Sequence, residues 1–233
     1  MDPCRDLDAL LEVSESARSM GIFVGYTIAW LERRDDDQSR EVIEHEIAEA
    51  VNAIKQRYSL ETLRSDPIVR AYRDFYWRIG VDPTKTRPSS EALVRRALRG
   101  SFPRINPVVD AGNIASARTL IPIGIYDLDR ASPPFRIVLS QGGEVFKPIG
   151  GKEEVLPRGV PILIDSRGVV MHLYPHRDSI ETCVTEETKR VLILGAGVPK
   201  VPRELVVGAV KAVTSILERI GWRSCDRVVV KGA

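Results

Sequence analysis

The fold of this chain turns on Arg104-Ile-Asn-Pro-Val-Val-Asp-Ala-Gly-Asn113, followed after a short apolar helix by Ile121-Pro-Ile-Gly-Ile-Tyr-Asp-Leu-Asp129. Asn106-Pro107 predicts a helix start, because proline in the first turn withholds an N–H that has no intrahelical partner anyway. From Ile121 the pattern changes to short β-rich runs: Ile121 to Ile125, Phe135 to Leu139, Val145 to Ile149, Ile162 to Asp165, Val169 to Tyr174 and Val191 to Leu194. Gly142-Gly143, Gly150-Gly151 and Ser166-Arg-Gly168 separate them as turns. Helices come before this switch and strands after it, which predicts an α+β fold in preference to a doubly wound sheet.

Upstream, Ile22, Val24, Tyr26 and Ile28 alternate along a strand from Met20 to Leu31. Asp35, Asp36 and Asp37 read as a solvated helix entry with Ser39 as the cap. Ile43, Ile47, Val51, Ile54 and Tyr58 then form a buried stripe, with Glu44, Glu46 and Glu49 toward water and His45 solvated. Asp66-Pro67 opens a second helix whose Tyr72, Phe75, Tyr76 and Ile79 read as core, ended by Gly80. After the loop from Asp82 to Ser90, Ser89 or Ser90 caps a third helix with Glu91 in its first turn. Leu93, Val94, Ala97 and Leu98 bury there, leaving Arg95, Arg96 and Arg99 as the densest basic face of the chain. Pro202 begins a last helix carrying Val206, Val210, Val213, Leu217 and Ile220 on one stripe. One domain over residues 1–233 is expected, with 1–65 and 200–233 as terminal additions packed on a β-rich core.

With 233 residues, 43% hydrophobic and 28% charged, the composition is that of an ordinary globular protein. No apolar run approaches the ~20 residues of a membrane helix, so no membrane partner is expected. Asp2, Asp6, Asp8 and Glu12 break the layout of a secretion signal, and the expected location is the cytoplasm. Cys4, Cys183 and Cys225 are odd in number and scattered, which predicts reduced thiols. A net charge of +2 confines any RNA contact to a local patch.

The opening stretch resembles the signature of the B3/B4 editing domain of the phenylalanyl-tRNA synthetase β subunit, in which an Arg-x-Asn-x-x-Val-Asp-x-x-Asn helix leads into a Pro-x-x-x-Phe/Tyr-Asp strand. Tyr72-Arg-Asp-Phe-Tyr-Trp-Arg-Ile-Gly-Val-Asp-Pro-Thr-Lys-Thr-Arg-Pro-Ser-Ser-Glu-Ala-Leu93 is similar to the block preceding it in small free-standing members. The resemblance runs from about Ala71 to Leu194. It implies a B3/B4-type core with flanking helices and a trans-editing hydrolase that deacylates mischarged aminoacyl-tRNA. Aminoacylated tRNA is the implied partner, with an aminoacyl-tRNA synthetase as a further one. The chain departs from the pattern where the family strand usually carries His, because that position is Gly124. The later Gly-Gly-Glu element is also missing, and Tyr174-Pro-His-Arg-Asp-Ser179 stands close to where it would fall. Either that segment supplies the missing groups, or the chain binds without hydrolysing.

An aminoacyl ester is already activated, so its hydrolysis needs a held water and donors for the developing oxyanion but no covalent nucleophile. Asn113, His176 and Asp178 are the candidate catalytic residues. Gly112, Gly124, Tyr126, Gly150, Gly151, Arg177 and Ser179 are candidates for holding the substrate, the glycines through exposed backbone and Arg177 through its planar fork. Lys85, Arg87, Arg95, Arg96 and Arg99 are candidate contacts to the tRNA backbone, as against an ordinary solvated face. Asn113 and the His176 to Ser179 loop are expected to border one cavity. Asp127 and Asp129 could share a strand face as an acid/base pair, with a structural role equally open for Asp127. His172 and His176 invite a metal with Cys183, yet Pro175 interrupts the strand and no fourth ligand appears, so neither metal nor other cofactor is expected.

Overall fold

In the computed structural model, which describes residues 4–232, the chain opens with β1 (Leu11–Val13), α1 (Glu15–Ser19) and β2 (Phe23–Leu31). It turns helical through α2 (Asp36–Arg57), α3 (Pro67–Arg78), α4 (Ser89–Leu98) and α5 (Pro107–Thr119). Short strands follow: β3 (Ile123–Asp127), β4 (Phe135–Leu139), β5 (Val145–Phe146), β6 (Glu154–Val155), β7 (Pro161–Ile164), β8 (Val170–Leu173) and β9 (Arg177–Asp178). The long β10 (Arg190–Gly197), α6 (Arg203–Arg219), β11 (Trp222–Ser224) and β12 (Val229–Gly232) complete it. The class is α+β. The simple order of helices and then strands needs correction, since β1 and β2 precede the helices and β11 and β12 follow the last one.

One sheet runs β11-β2-β10-β3, with β12 also paired to β2; the other runs β1-β4-β7-β8-β9. The first is a middle layer. On β10, Val191 and Ile193 pack with residues of α2, α4, α5 and α6, whereas Leu192 and Leu194 pack with Phe135, Ile137, Leu163 and Met171 of the second sheet. Strand periodicity sends alternate side chains to opposite faces, so a strand covered on both sides is apolar throughout. Ile22, Val24, Tyr26 and Ile28 do share the face toward the second sheet, but Ala29 is buried toward the helices and Thr27 is buried as well.

Several local expectations are overturned, some of them by partners distant in sequence. Asp35, not Ser39, caps α2 by accepting the Gln38 N–H at 3.0 Å, and Ser39 lies inside the helix. Glu46 is 5% exposed, held by Arg118 of α5 at 2.5 Å and by Arg219 of α6. Burial raises its pKa, but the two guanidinium groups outweigh burial and hold the carboxyl below its usual value. At α4, Pro88 occupies the cap position and neither Ser89 nor Ser90 caps the helix. Glu91 is fully buried, and its carboxylate takes hydrogen bonds from Arg73 of α3 and from Arg95 at 2.7 to 2.8 Å. Arg95 is therefore buried, not part of an exposed basic face. The run from Val145 to Ile149 shrinks to the two residues of β5. Cys4 and Cys225 form a disulfide across 221 positions, and only Cys183 is a free thiol among the described residues. Scatter along the chain is a poor guide here, because β12 returns the C-terminal segment to β2, near the start of the chain.

Candidate active site

Helix α5 begins where the sequence places it: Asn106 caps it by accepting the Val109 N–H at 3.0 Å. Two turns on, Asn113 and Ser116 are three residues apart and share a helix face. That face meets Gly124 of β3, Ser89 at the start of α4, and His172, His176 and Asp178 around a cavity of about 100 Å³. The β8–β9 hairpin supplies the last three. Its register sets Asp178 directly opposite His172, so the two side chains lie on one face, and His172 Nδ1 stands 2.8 Å from Asp178 Oδ1.

Among the described residues, four polar atoms at or beside this cavity are buried without a hydrogen-bond partner: Ser116 Oγ, His176 Nδ1, Tyr126 Oη and Tyr76 Oη, the Tyr76 ring lying 5.5 Å from that of His176. Such atoms are rare in native interiors, and a cluster of them marks a place able to bind a polar group. Burial above all, then the neighbouring His172 and Arg177, lowers the pKa of His176 to about 4, so this imidazole is neutral at physiological pH. Burial, and after it the nearby Asp178 carboxylate, holds the Tyr126 phenol well above its usual value, although the two groups make no hydrogen bond of sound geometry.

Gly124 and Tyr126 are two apart on β3 and point to one face, and the Tyr126 ring folds back over the glycine. A Cβ at position 124 would meet Tyr126 Oη and lie 2.6 Å from its Cζ. The glycine is thus the condition for the tyrosine's position, and a histidine there would have to displace it.

A model of the B3/4 domain matches residues 71–221. The chain belongs to the B3/4 domain family. Among curated relatives, the phenylalanine–tRNA ligase β subunit of Methanocaldococcus jannaschii is 31% identical over 122 residues, 44% of this chain and 22% of that protein. That of Pyrococcus horikoshii is 33% identical over 137 residues, 49% of this chain and 24% of that protein. The chain thus spans about a quarter of the length of these relatives. The crystal structure of an N-terminal fragment of the phenylalanyl-tRNA synthetase β subunit from Pyrococcus horikoshii superposes with a TM-score of 0.51 at 18% identity, covering 96% of this chain and 54% of that one. That likeness extends the shared fold to nearly the whole of this B3/4 protein.

Not every candidate of this B3/4 domain lines the cavity. Gly112 faces β3, where a Cβ would come within 2.7 Å of Ile125 Cδ1, so its smallness serves helix-to-strand packing. Gly150 and Gly151 form the turn between β5 and β6, beside Arg177, whose guanidinium is engaged with Glu154 at 2.6 Å and stacked on Phe146. Ser179 is fully buried and accepts the Glu181 N–H. Lys85, Arg87, Arg96 and Arg99 are exposed. Asp127 is buried, accepting from Thr188 Oγ1 at 2.7 Å and from the Asp129 N–H, while Asp129 pairs with Arg190; both act structurally. Sequence reasoning weighs His172 only as a metal ligand and misses Ser89 and Ser116 as lining groups. The i, i+3 spacing of Ser116 from Asn113 is the signal that could have found the second of these.

A larger cleft of about 510 Å³ opens at the other end of α5, lined by Arg34, Glu44, Arg104, Asn106, Asp110 and Trp222 among others. Asp110 there accepts the Ile105 N–H at 2.9 Å, and burial raises its pKa to about 6. His45, Glu46 and Glu49 lie close enough together to share an ion, but both oxygens of Glu46 are already held by arginines.

Proposed function

We propose that the chain hydrolyses the ester of a mischarged aminoacyl-tRNA, the aminoacyl end entering the cavity between α5 and the β8–β9 hairpin. The cluster of unpartnered buried polar atoms there carries this reading, since a carbonyl, an α-amino group and a water would satisfy them together. Asn113 offers an amide, and His176 and Asp178 further polar groups; family membership supports the link to tRNA chemistry. Lys85, Arg87, Arg96 and Arg99 would meet the RNA backbone, with Arg95 serving to fix Glu91 instead. A synthetase is the further candidate partner.

Incubation with a panel of mischarged tRNAs, with and without chelator, should release amino acid from at least one at equal rates in both. Replacing Arg96 and Arg99 together should weaken tRNA binding and flatten its salt dependence by about one unit of slope for each phosphate left without its arginine. The second reading is a module that binds an aminoacyl end, tRNA or a synthetase without turnover. It is favoured by Tyr126 standing over Gly124, where the family usually carries a histidine. Binding with no release across the panel would select it.

A further inference from the structure

Building on the deacylase reading, we infer that His172 is the general base of the reaction and that Asp178 is its positioning residue, the pair replacing the group absent at Gly124. The β8–β9 register makes them cross-strand partners, and the 2.8 Å contact places a carboxylate on Nδ1. An imidazole donating Nδ1–H to a carboxylate keeps the lone pair on Nε2, the nitrogen that must accept a proton. Nε2 has no hydrogen-bond partner among the described residues, and His172 lines the cavity. Its ring makes edge-type contacts with the rings of Tyr126 and Tyr174, each at 6.1 Å between centroids.

His176 is a poorer base. Its side chain has no carboxylate partner among the described residues, and burial opposes any positive charge on it. Asn113 and Ser116 line the cavity from α5, where they can hold the carbonyl side of the ester.

The chemistry closes with one water. Its oxygen attacks the ester carbonyl carbon while one of its protons passes to His172 Nε2, and the carbonyl electron pair moves onto oxygen to give a tetrahedral oxyanion. Collapse restores the carbonyl, breaks the bond to the ribose oxygen, and returns the proton from Nε2 to that oxygen. The products are a free amino acid and a ribose hydroxyl, and no proton passes to Asp178.

The test combines turnover of a mischarged tRNA with nitrogen NMR of the His172 ring in the unliganded protein. His172→Gln should lower kcat by about 10²- to 10⁴-fold with KM nearly unchanged. Asp178→Asn should also lower kcat, because its amide can donate to Nδ1 and so put the ring proton on Nε2, a tautomer change the NMR reads directly. The parent protein should show the Nδ1–H form. An Nε2–H form in the parent overturns the dyad whatever the turnover and whether or not the variants fold. Parent-like kcat in a folded His172→Gln overturns the base while leaving the deacylase reading intact. Absence of turnover by the parent across the whole panel overturns that reading and the catalytic role of the dyad with it.

Discussion

Helix α5 carries two hollows, and the smaller one is chemically the more provocative. The cleft at its first turn is about 510 Å³, within the usual range for ligand pockets, yet its polar groups largely satisfy one another. Arg104 grips Glu44, Arg34 grips Asp36, and Asp110 takes a backbone N–H. The cavity at the third turn is about 100 Å³ and leaves Ser116 and His176 with unpaired buried atoms. Size alone would have chosen the first. Unmet hydrogen-bonding capacity chooses the second, because each such atom forgoes its water on folding without receiving a partner.

Gly124→Ala should break the contrast most sharply. Its Cβ has no room beside the Tyr126 ring, so the variant should lose about 1–3 kcal/mol of stability by denaturant unfolding. Parent-like stability would mean that the tyrosine moves freely off the glycine.

A finer contrast is available through pH, since the two hollows should respond with opposite sign. The pKa of His176 falls to about 4 when the chain folds, so between its unfolded value near 6.5 and about 4 only the unfolded chain holds the proton. Its contribution is complete above that window and is lost as pH falls through it. Asp110, raised to about 6, does the reverse: its contribution is complete below the unfolded value near 3.8 and is lost as pH rises through about 6. Each slope is at most about 1.4 kcal/mol per pH unit. Melting curves from pH 4 to 8 should therefore show His176→Gln gaining on the parent as pH falls and Asp110→Asn gaining as it rises. Parallel curves for either variant would mean that its ionisation is not coupled to folding.

The smallest effect belongs to the rim of the large cleft. The Arg104–Glu44 pair is about half exposed on both sides, and Glu44→Gln should cost less than about 1 kcal/mol by chemical denaturation. A much larger loss would show that the pair braces the cleft in a way its exposure does not suggest.

How much of this is legible in the sequence depends on the distance between interacting residues. The Asn106-Pro107 and Asp66-Pro67 helix starts and β4 follow from local chemistry and stand where the sequence places them. Glu46 reads as solvated because its own helix gives no reason to bury charge; Arg118 and Arg219 provide it from other elements, while Arg95 is buried against Glu91 of its own helix, a carboxylate that Arg73 of α3 also holds. The two-residue strands β6 and β9 carry too little periodicity to be read. His172 is visible as a residue but not as half of a pair, since its partner is defined by a hairpin register set through the turn at Tyr174 to His176. Asn113, His176 and Asp178, some sixty positions apart, meet at one cavity, whereas Arg177 and Ser179 turn to other partners in the same loop.

The placement of β2 bears on how such a chain is made. Its residues are synthesised well before those of its sheet neighbours β10, β11 and β12, since β2 begins at Phe23 and the earliest of the neighbours at Arg190. Pairing between such distant segments is slow, because a long loop must close before any contact rewards it. On the ribosome the apolar strand therefore waits with both edges unpaired, a period in which a chaperone or a co-translational binding partner would have the most to protect.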